Sequence, residues 1–292
     1  MKTILAAFIF LAGLIFSSGS FAIDPGTASG TLQVDGDVVT LSHAYSHLHD
    51  NAEGWLDFKK EMRILVSDRE VDQDALAGLN PFFTLSAMVR EGSVRGVLIR
   101  FDPAKPKSIL VTVLYPPKDQ RNSLANRTIS DSAKSPLENL LISELRVSAS
   151  VSRSSEGNAE LGWPAENYSF RFSAPLFREA AVTATLKERQ ALDSPQVKAL
   201  LARAAALKKC DIEKTRQYST ERFIREIEEF MAQSQDEARK MMRESGRDIE
   251  QSVKKGKLRL IVRGDRASLM VDAKDGKSMF ALVRKDGNWI VD

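Results

Sequence analysis

From about residue 28 to residue 185, apolar and polar positions alternate at period two, the pattern of strands with one buried face. Leu32 and Val34 alternate ahead of Asp35-Gly36, a hairpin signal, and Val39, Leu41, His43 and Tyr45 then share a face of the returning strand. Further strands are expected over 61–67, 94–101, 109–115, 145–151 and 168–172. Asp68, Asp102-Pro103 and Pro116-Pro117 close the first three of these. A short helical stretch is expected within 76–91, and the Ser-, Asn- and Lys-rich run 118–137 reads as an exposed loop. Many short strands between turn signals predict a β-sandwich or an open barrel.

Near residue 190 the period becomes helical. Ser194 is an N-cap candidate with Pro195 at the first helical position, and Val197, Leu200, Leu201, Ala204 and Leu207 recur on one face. Residues 211–218 break that pattern. Ser219 or Thr220 then caps a long second helix, on which Phe223, Ile227, Phe230, Met231, Ala238, Met242, Ile249 and Val253 keep an approximate face. Gly246 is a candidate interruption and Gly256 the expected end. Strands over 258–262, 267–271, 279–283 and 289–291 follow, joined at Gly264-Asp265, Asp275-Gly276 and Asp286-Gly287. The expected fold class is α+β. An N-terminal β-sandwich-like domain spans 23–189, and a C-terminal cone-like domain, with helices packed on an antiparallel meander, spans 190–292.

Residues 1–22 read as a secretory signal peptide. Lys2 supplies the positive charge, residues 4–16 are apolar except for Gly13, and Ser20-Phe21-Ala22 puts small residues at −3 and −1 of a cleavage site. The apolar run is short of the ~20 residues that a spanning helix needs. No later stretch is apolar enough to span, so the mature chain is expected in the periplasm or secreted, with no membrane span.

Composition narrows the partners. The 42 basic residues are nearly matched by 39 acidic ones, which argues against a polybasic nucleic-acid binder. A 43% hydrophobic content with a net charge of +3 excludes disorder over most of the chain. The single cysteine excludes an intramolecular disulfide framework and a cysteine-cluster zinc site. Cys210 is expected to be a buried small hydrophobe rather than a reactive or dimer-bridging thiol.

The second half resembles the small α+β cone of the nuclear transport factor two-like superfamily. The helix over 194–209, the Lys209-Cys210-Asp211 step, and the two segments 262–267 (VRGDRA) and 285–290 (KDGNWI) carry the resemblance. It implies a fold and, in some members, acid/base chemistry by Asp or His in an apolar pocket. The first half resembles a β-domain of exported bacterial proteins, through Gly30-Thr31-Leu32 with Val34, Leu41-Ser42-His43-Ala44-Tyr45 and Leu65-Val66-Ser67-Asp68. That resemblance implies no activity.

All three histidines, His43, His47 and His49, lie within 43–49, and Asp50 follows. Odd positions of a strand share a face, and imidazoles with a carboxylate suit zinc or copper, so these three are the candidate metal ligands. Against this, residues two apart on a strand are separated by ~7 Å, and Asn51 and Gly54 put His47 and His49 at a loop entry as solvated groups. The second half contains no histidine. Asp211, Tyr218, Arg263, Asp265, Asp272 and Asp275 are its polar candidates for a cone pocket. No Gly-rich phosphate loop, Gly-x-Ser-x-Gly elbow or His-Glu-x-x-His helix is present, so catalytic residues stay unassigned and no cofactor is called for. The alternating charges from Glu221 to Lys240 suit a solvated helix face or a partner-docking one.

The expected function is non-enzymatic binding or scaffolding outside the cytoplasm, with a protein or small-molecule partner and self-association as a homodimer in view. The alternatives are a carrier or isomerase-like enzyme using the cone pocket, and metal handling by His43, His47 and His49. Mature protein recovered from the periplasm should begin at Ile23 on N-terminal sequencing. An intact Met1 in a membrane fraction would show an uncleaved anchor instead.

Overall fold

The computed structural model describes residues 26–54, 59–77, 81–116, 126–131, 136–157, 164–274 and 276–292. Residues 1–22, whose sequence reads as a signal peptide, much of the polar run at 118–137 and the turn residue Asp275 lie outside the described residues. The fold is α+β, with a large curled antiparallel sheet, a smaller antiparallel sheet and, among the described residues, six α-helices. No helix among these residues is long and apolar enough to cross a membrane.

Strands β1 (Thr27–Val34) and β2 (Asp37–Asp50) form the expected hairpin. Its turn residues Asp35 and Gly36 both have positive φ, 46° and 93°, which tight hairpin turns demand and which Gly meets without strain. Strands β3 (Lys60–Ser67), β4 (Gly96–Phe101) and β5 (Ile109–Leu114) follow near their expected places. The polar run read as a loop contains a strand, β6 (Asn126–Asp131), paired along its length with β5. Strands β7 (Leu137–Ile142), β8 (Arg146–Ser155) and β9 (Glu166–Arg178) complete a nine-stranded sheet of order β6-β5-β4-β3-β2-β1-β9-β8-β7. Because β1 runs antiparallel to both neighbours, β2 and β9 are parallel, and they pair directly beyond the start of β1, at Ser46–Leu48 and Leu176–Arg178.

Among the described residues, twenty-one buried side chains from β1 to β5, β8 and β9, among them Leu32, Met62, Ile99, Val111, Phe170 and Phe172, form one core to which no helix contributes. A single sheet buries such a face only by curling around it, giving a half-barrel. The alternation in β2 shifts phase on the way. Val39 and Leu41 belong to this core, as do Ala44 and Leu48, whereas Tyr45 packs on the opposite face. The shift accompanies the register irregularity opposite β1 between Thr27 and Gly30. On the outer face, Leu65, Leu98 and Leu114 pack under a short 3-10 turn (Gln73–Leu76) and helix α1 (Pro81–Arg90), which contributes Leu85 and Val89.

The second sheet begins before residue 190. Its edge strand β10 (Ala184–Lys187) pairs with β11 (Lys257–Arg263), which continues through β12 (Arg266–Ala273), β13 (Gly276–Lys285) and β14 (Asn288–Val291). Between β10 and β11 lie α2 (Glu188–Leu192), α3 (Pro195–Lys209), α4 (Ile212–Arg216), α5 (Glu221–Gln233) and α6 (Gln235–Lys255). Helix α3 starts as its sequence requires, with Ser194 Oγ accepting from Val197 N at 3.3 Å and Pro195 at its first position. The long second helix divides at Ser234, which has extended φ and ψ, into α5 and α6, and Gly246 lies inside α6 without interrupting it. Ala191, Val197, Leu200, Ile227, Met242 and Val253 pack with Leu258, Leu260, Leu269 and Val271 as a second core.

Gly246 is there for a close helix crossing. A Cβ at this position would come within 2.6 Å of the Ala204 carbonyl oxygen on α3. Helix propensity alone favours Gly246→Ala by about 1 kcal/mol, whereas forcing a methyl against backbone costs about 1–3 kcal/mol. Gly246→Ala should therefore lower the melting temperature, as a thermal melt followed by circular dichroism will read.

Candidate functional site

The outer face of the curled sheet turns from apolar to charged toward the end of β2. The register sets Tyr45 beside Leu65, His47 beside Arg63 and His49 beside Glu61, with Arg100 of β4 beyond Arg63. His47, His49, Glu61 and Arg63 are all buried, Arg63 completely. Strand β2 runs on to Asp50 because β3 holds one side of it and the end of β9 the other. His47 and His49 are thus strand residues packed inside, not solvated groups at a loop entry. His43 is not brought to them. It sits four residues back, about 13 Å along the strand, half-buried opposite Ser67.

Two segments complete the cluster. Glu179 follows directly on β9, whose Phe177 lies beside His47. Arg263 ends β11 and reaches over from the second sheet. His49 Nδ1–H donates to Glu179 Oε1 at 2.8 Å, and His47 Nε2 lies 3.7 Å from the same oxygen. Arg263 Nε faces Glu179 Oε2 at 3.7 Å, while Arg263 Nη2 donates to the Asp50 carbonyl at 2.7 Å and approaches Glu53 Oε2 at 3.3 Å. Arg259, on the same strand, donates to the Glu53 carbonyl. Deeper in the sheet, Arg63 Nε pairs with Glu61 Oε2 at 2.7 Å and its Nη1 donates to the Leu76 carbonyl, with Arg100 3.7 Å from Glu61 Oε1.

Burial alone would raise the Glu179 carboxyl. The imidazoles of His47 and His49 and the Arg263 guanidinium outweigh it and hold the group well below the usual carboxylate range. Burial lowers the Arg63 guanidinium, opposed by Glu61 and then by Glu179, which ties the two halves of the cluster together electrostatically. Several polar atoms here are sealed from solvent without a hydrogen bond: His47 Nε2, His49 Nε2, Glu61 Oε1, Glu179 Oε2, Arg100 Nε and Arg263 Nε. Buried polar atoms left this way cost free energy, and such concentrations mark sites. A cavity of about 370 Å³ adjoins them, lined by His47, His49, Glu53, Glu179, Arg263 and Arg266, with Arg178 and Asp265 also at its wall.

Among the described residues no group of three or more His, Cys, Asp or Glu side chains is placed to hold a metal ion. The cation facing the Glu179 carboxylate is Arg263. The polar candidates of the second half are dispersed. Asp211 is exposed and caps α4, accepting from Lys214 N at 3.0 Å, and Asp272 is exposed on β12. Tyr218 engages through its backbone, its carbonyl accepting from Val291 N. Asp265 lies at the turn between β11 and β12, on the cavity wall. Cys210 is half-buried as the left-handed C-cap of α3, and its thiol donates to the Arg239 carbonyl at 3.4 Å. Glu53, Glu61, Arg63, Arg100 and Glu179 were not among the sequence candidates. One signal existed for Glu61 and Arg63, which share the parity of buried Leu65 in β3.

Comparison with protein-family models, with curated proteins and with solved structures finds no match to this chain.

Glu179→Gln leaves Arg263 and His49 facing a neutral amide. Removing one partner of a buried pair costs about 3–5 kcal/mol, so the variant should be that much less stable at neutral pH. A carboxyl whose folded pKa is lowered stabilises fully above its unfolded pKa, about 4.3, and progressively less as the pH falls below it. The gap between parent and variant should therefore be constant at mildly acidic pH and narrow below about pH 4. Urea unfolding across that range measures both effects.

Proposed function

We propose that this is an exported, two-domain binding protein without catalysis, taking a small polar ligand at the joint between its domains. The carrying observation is the 370 Å³ cavity floored by charges that answer one another from within. Glu179 is met by His49 and Arg263, and Glu53 by Arg263, so the floor is rigid and pre-organised before any ligand arrives. Export rests on the signal sequence at 1–22. The cone-like reading of the second domain is supported by the four-strand meander β11–β14, flanked by β10, with helices on one face, and for the first domain the open-barrel form of the β-rich reading is supported by its curled single sheet. Its boundary falls best before β10 rather than at residue 190.

The enzymatic alternative has one observation in its favour. A histidine donating Nδ1–H to a carboxylate is oriented as general bases are, with Nε2 left to take a proton. Here that Nε2 is sealed from solvent in the unliganded chain, and we therefore favour the binding reading of the cavity.

Native mass spectrometry of protein released from the periplasm without denaturation tests this reading. A small-molecule mass excess is expected on the parent chain and not on Arg263→Gln. The bare chain mass for both would refute it.

A further inference from the structure

The five-stranded sheet has one face under helices and one without them. Leu186, Leu258, Leu260, Leu269, Val271 and Leu282 belong to the helix-side core. Their strand neighbours therefore project from the other face. There the register sets Lys187 beside Arg259 and Arg259 beside Met270, and sets Lys257 beside Asp272 and Asp272 beside Lys277. Basic groups from three strands thus share one patch, around a cavity of about 450 Å³ whose wall also includes Met270 and Asp272.

The charges on this patch are not balanced. Four cations, Lys187, Lys257, Arg259 and Lys277, line the cavity with Glu53, Glu188 and Asp272. Glu53 turns its carboxylate to Arg263 in the other cavity and offers its carbonyl to Arg259. Two acids are left against four cations. Lys187, Lys257 and Lys277 are exposed, and none lies within ion-pair distance of a carboxylate among the described residues. Like charges on adjacent strands repel, and an anion placed among them relieves that repulsion.

The floor between and beyond these cations is apolar. Met270 is half-exposed, and Met279, Ala281 and Val283 continue the same face, also half-exposed. A bare inorganic anion would satisfy the lysines and leave this strip wet. Met side chains adapt to aliphatic chains of varied shape. The volume lies in the range of small-molecule sites, and the Glu53-Gly54 segment contributes to its lining.

We propose that this second cavity binds a small organic anion with an aliphatic tail, its carboxylate among Lys187, Lys257, Arg259 and Lys277 and its tail along Met270. Arg263 takes no part, so the site does not rest on the joint cavity. Isothermal titration of the mature full chain with sodium decanoate, decylammonium chloride and inorganic phosphate tests it. Decanoate should bind one to one, and the Lys257→Gln/Lys277→Gln double variant should weaken it at least about tenfold. Both lysines are exposed, and an unchanged thermal melt will show that the double variant is folded. Lys285→Gln, on the same sheet but outside the cavity, should bind as the parent does. Binding of decylammonium as tight as decanoate would mark mere surfactant partition and overturn the proposal. Equal binding of phosphate, no binding of decanoate, or an unaffected double variant would overturn it as well.

Discussion

A guanidinium inside a protein must be answered on every side, and Arg263 is answered from three segments at once. It reaches the Asp50 carbonyl at the end of β2, the Glu53 carboxylate beyond it, and Glu179 with the Ala180 carbonyl after β9. Among the described residues no strand or helix of the curled sheet makes an extensive contact with the elements of the second sheet, and long side chains such as Arg263 and Arg259 bridge them. The cost of burying so much charge is met only while all these partners stay in place. Glu53 and Glu179, which meet Arg263, line the first cavity together with it.

Much of the backbone is legible because its signals are local. Ser194-Pro195, Asp35-Gly36 and the meander turns each act through a few residues, and the structure places strands and helices beside them. Strand β6 is hidden because NRTISD carries one large apolar residue and forms an outer edge, where no buried face is required. Strand β7 is hidden because Asn139, at φ 54°, accompanies a bulge that breaks the alternation of LENLLI. The split at Ser234 carries no breaker residue, while Gly246, which looks like one, serves a crossing with α3.

The site was legible only in part. His47 and His49 stand out by residue type, and their common face follows from strand parity. Their partners do not, because Glu179 and Arg263 lie 130 and more positions away and are joined to them only by the order of strands in space. Grouping His43 with them rests on residue type, closeness in sequence and the shared face of odd strand positions. A strand turns closeness into distance along its axis, so a histidine four places away is farther off than a glutamate from another sheet segment.

The connector at 179–183 has a consequence for how the two sheets can move. Glu179 is ion-paired, the Ala180 carbonyl accepts from Arg263, and Thr183 bonds to the Val262 carbonyl through both its amide and its hydroxyl. The covalent link is thereby fastened to the same strand end that carries Arg263, with little slack. A tether this short holds its two ends at an effective concentration on the order of millimolar or higher. Contacts too weak to hold two separate molecules together then suffice between ends tethered this closely.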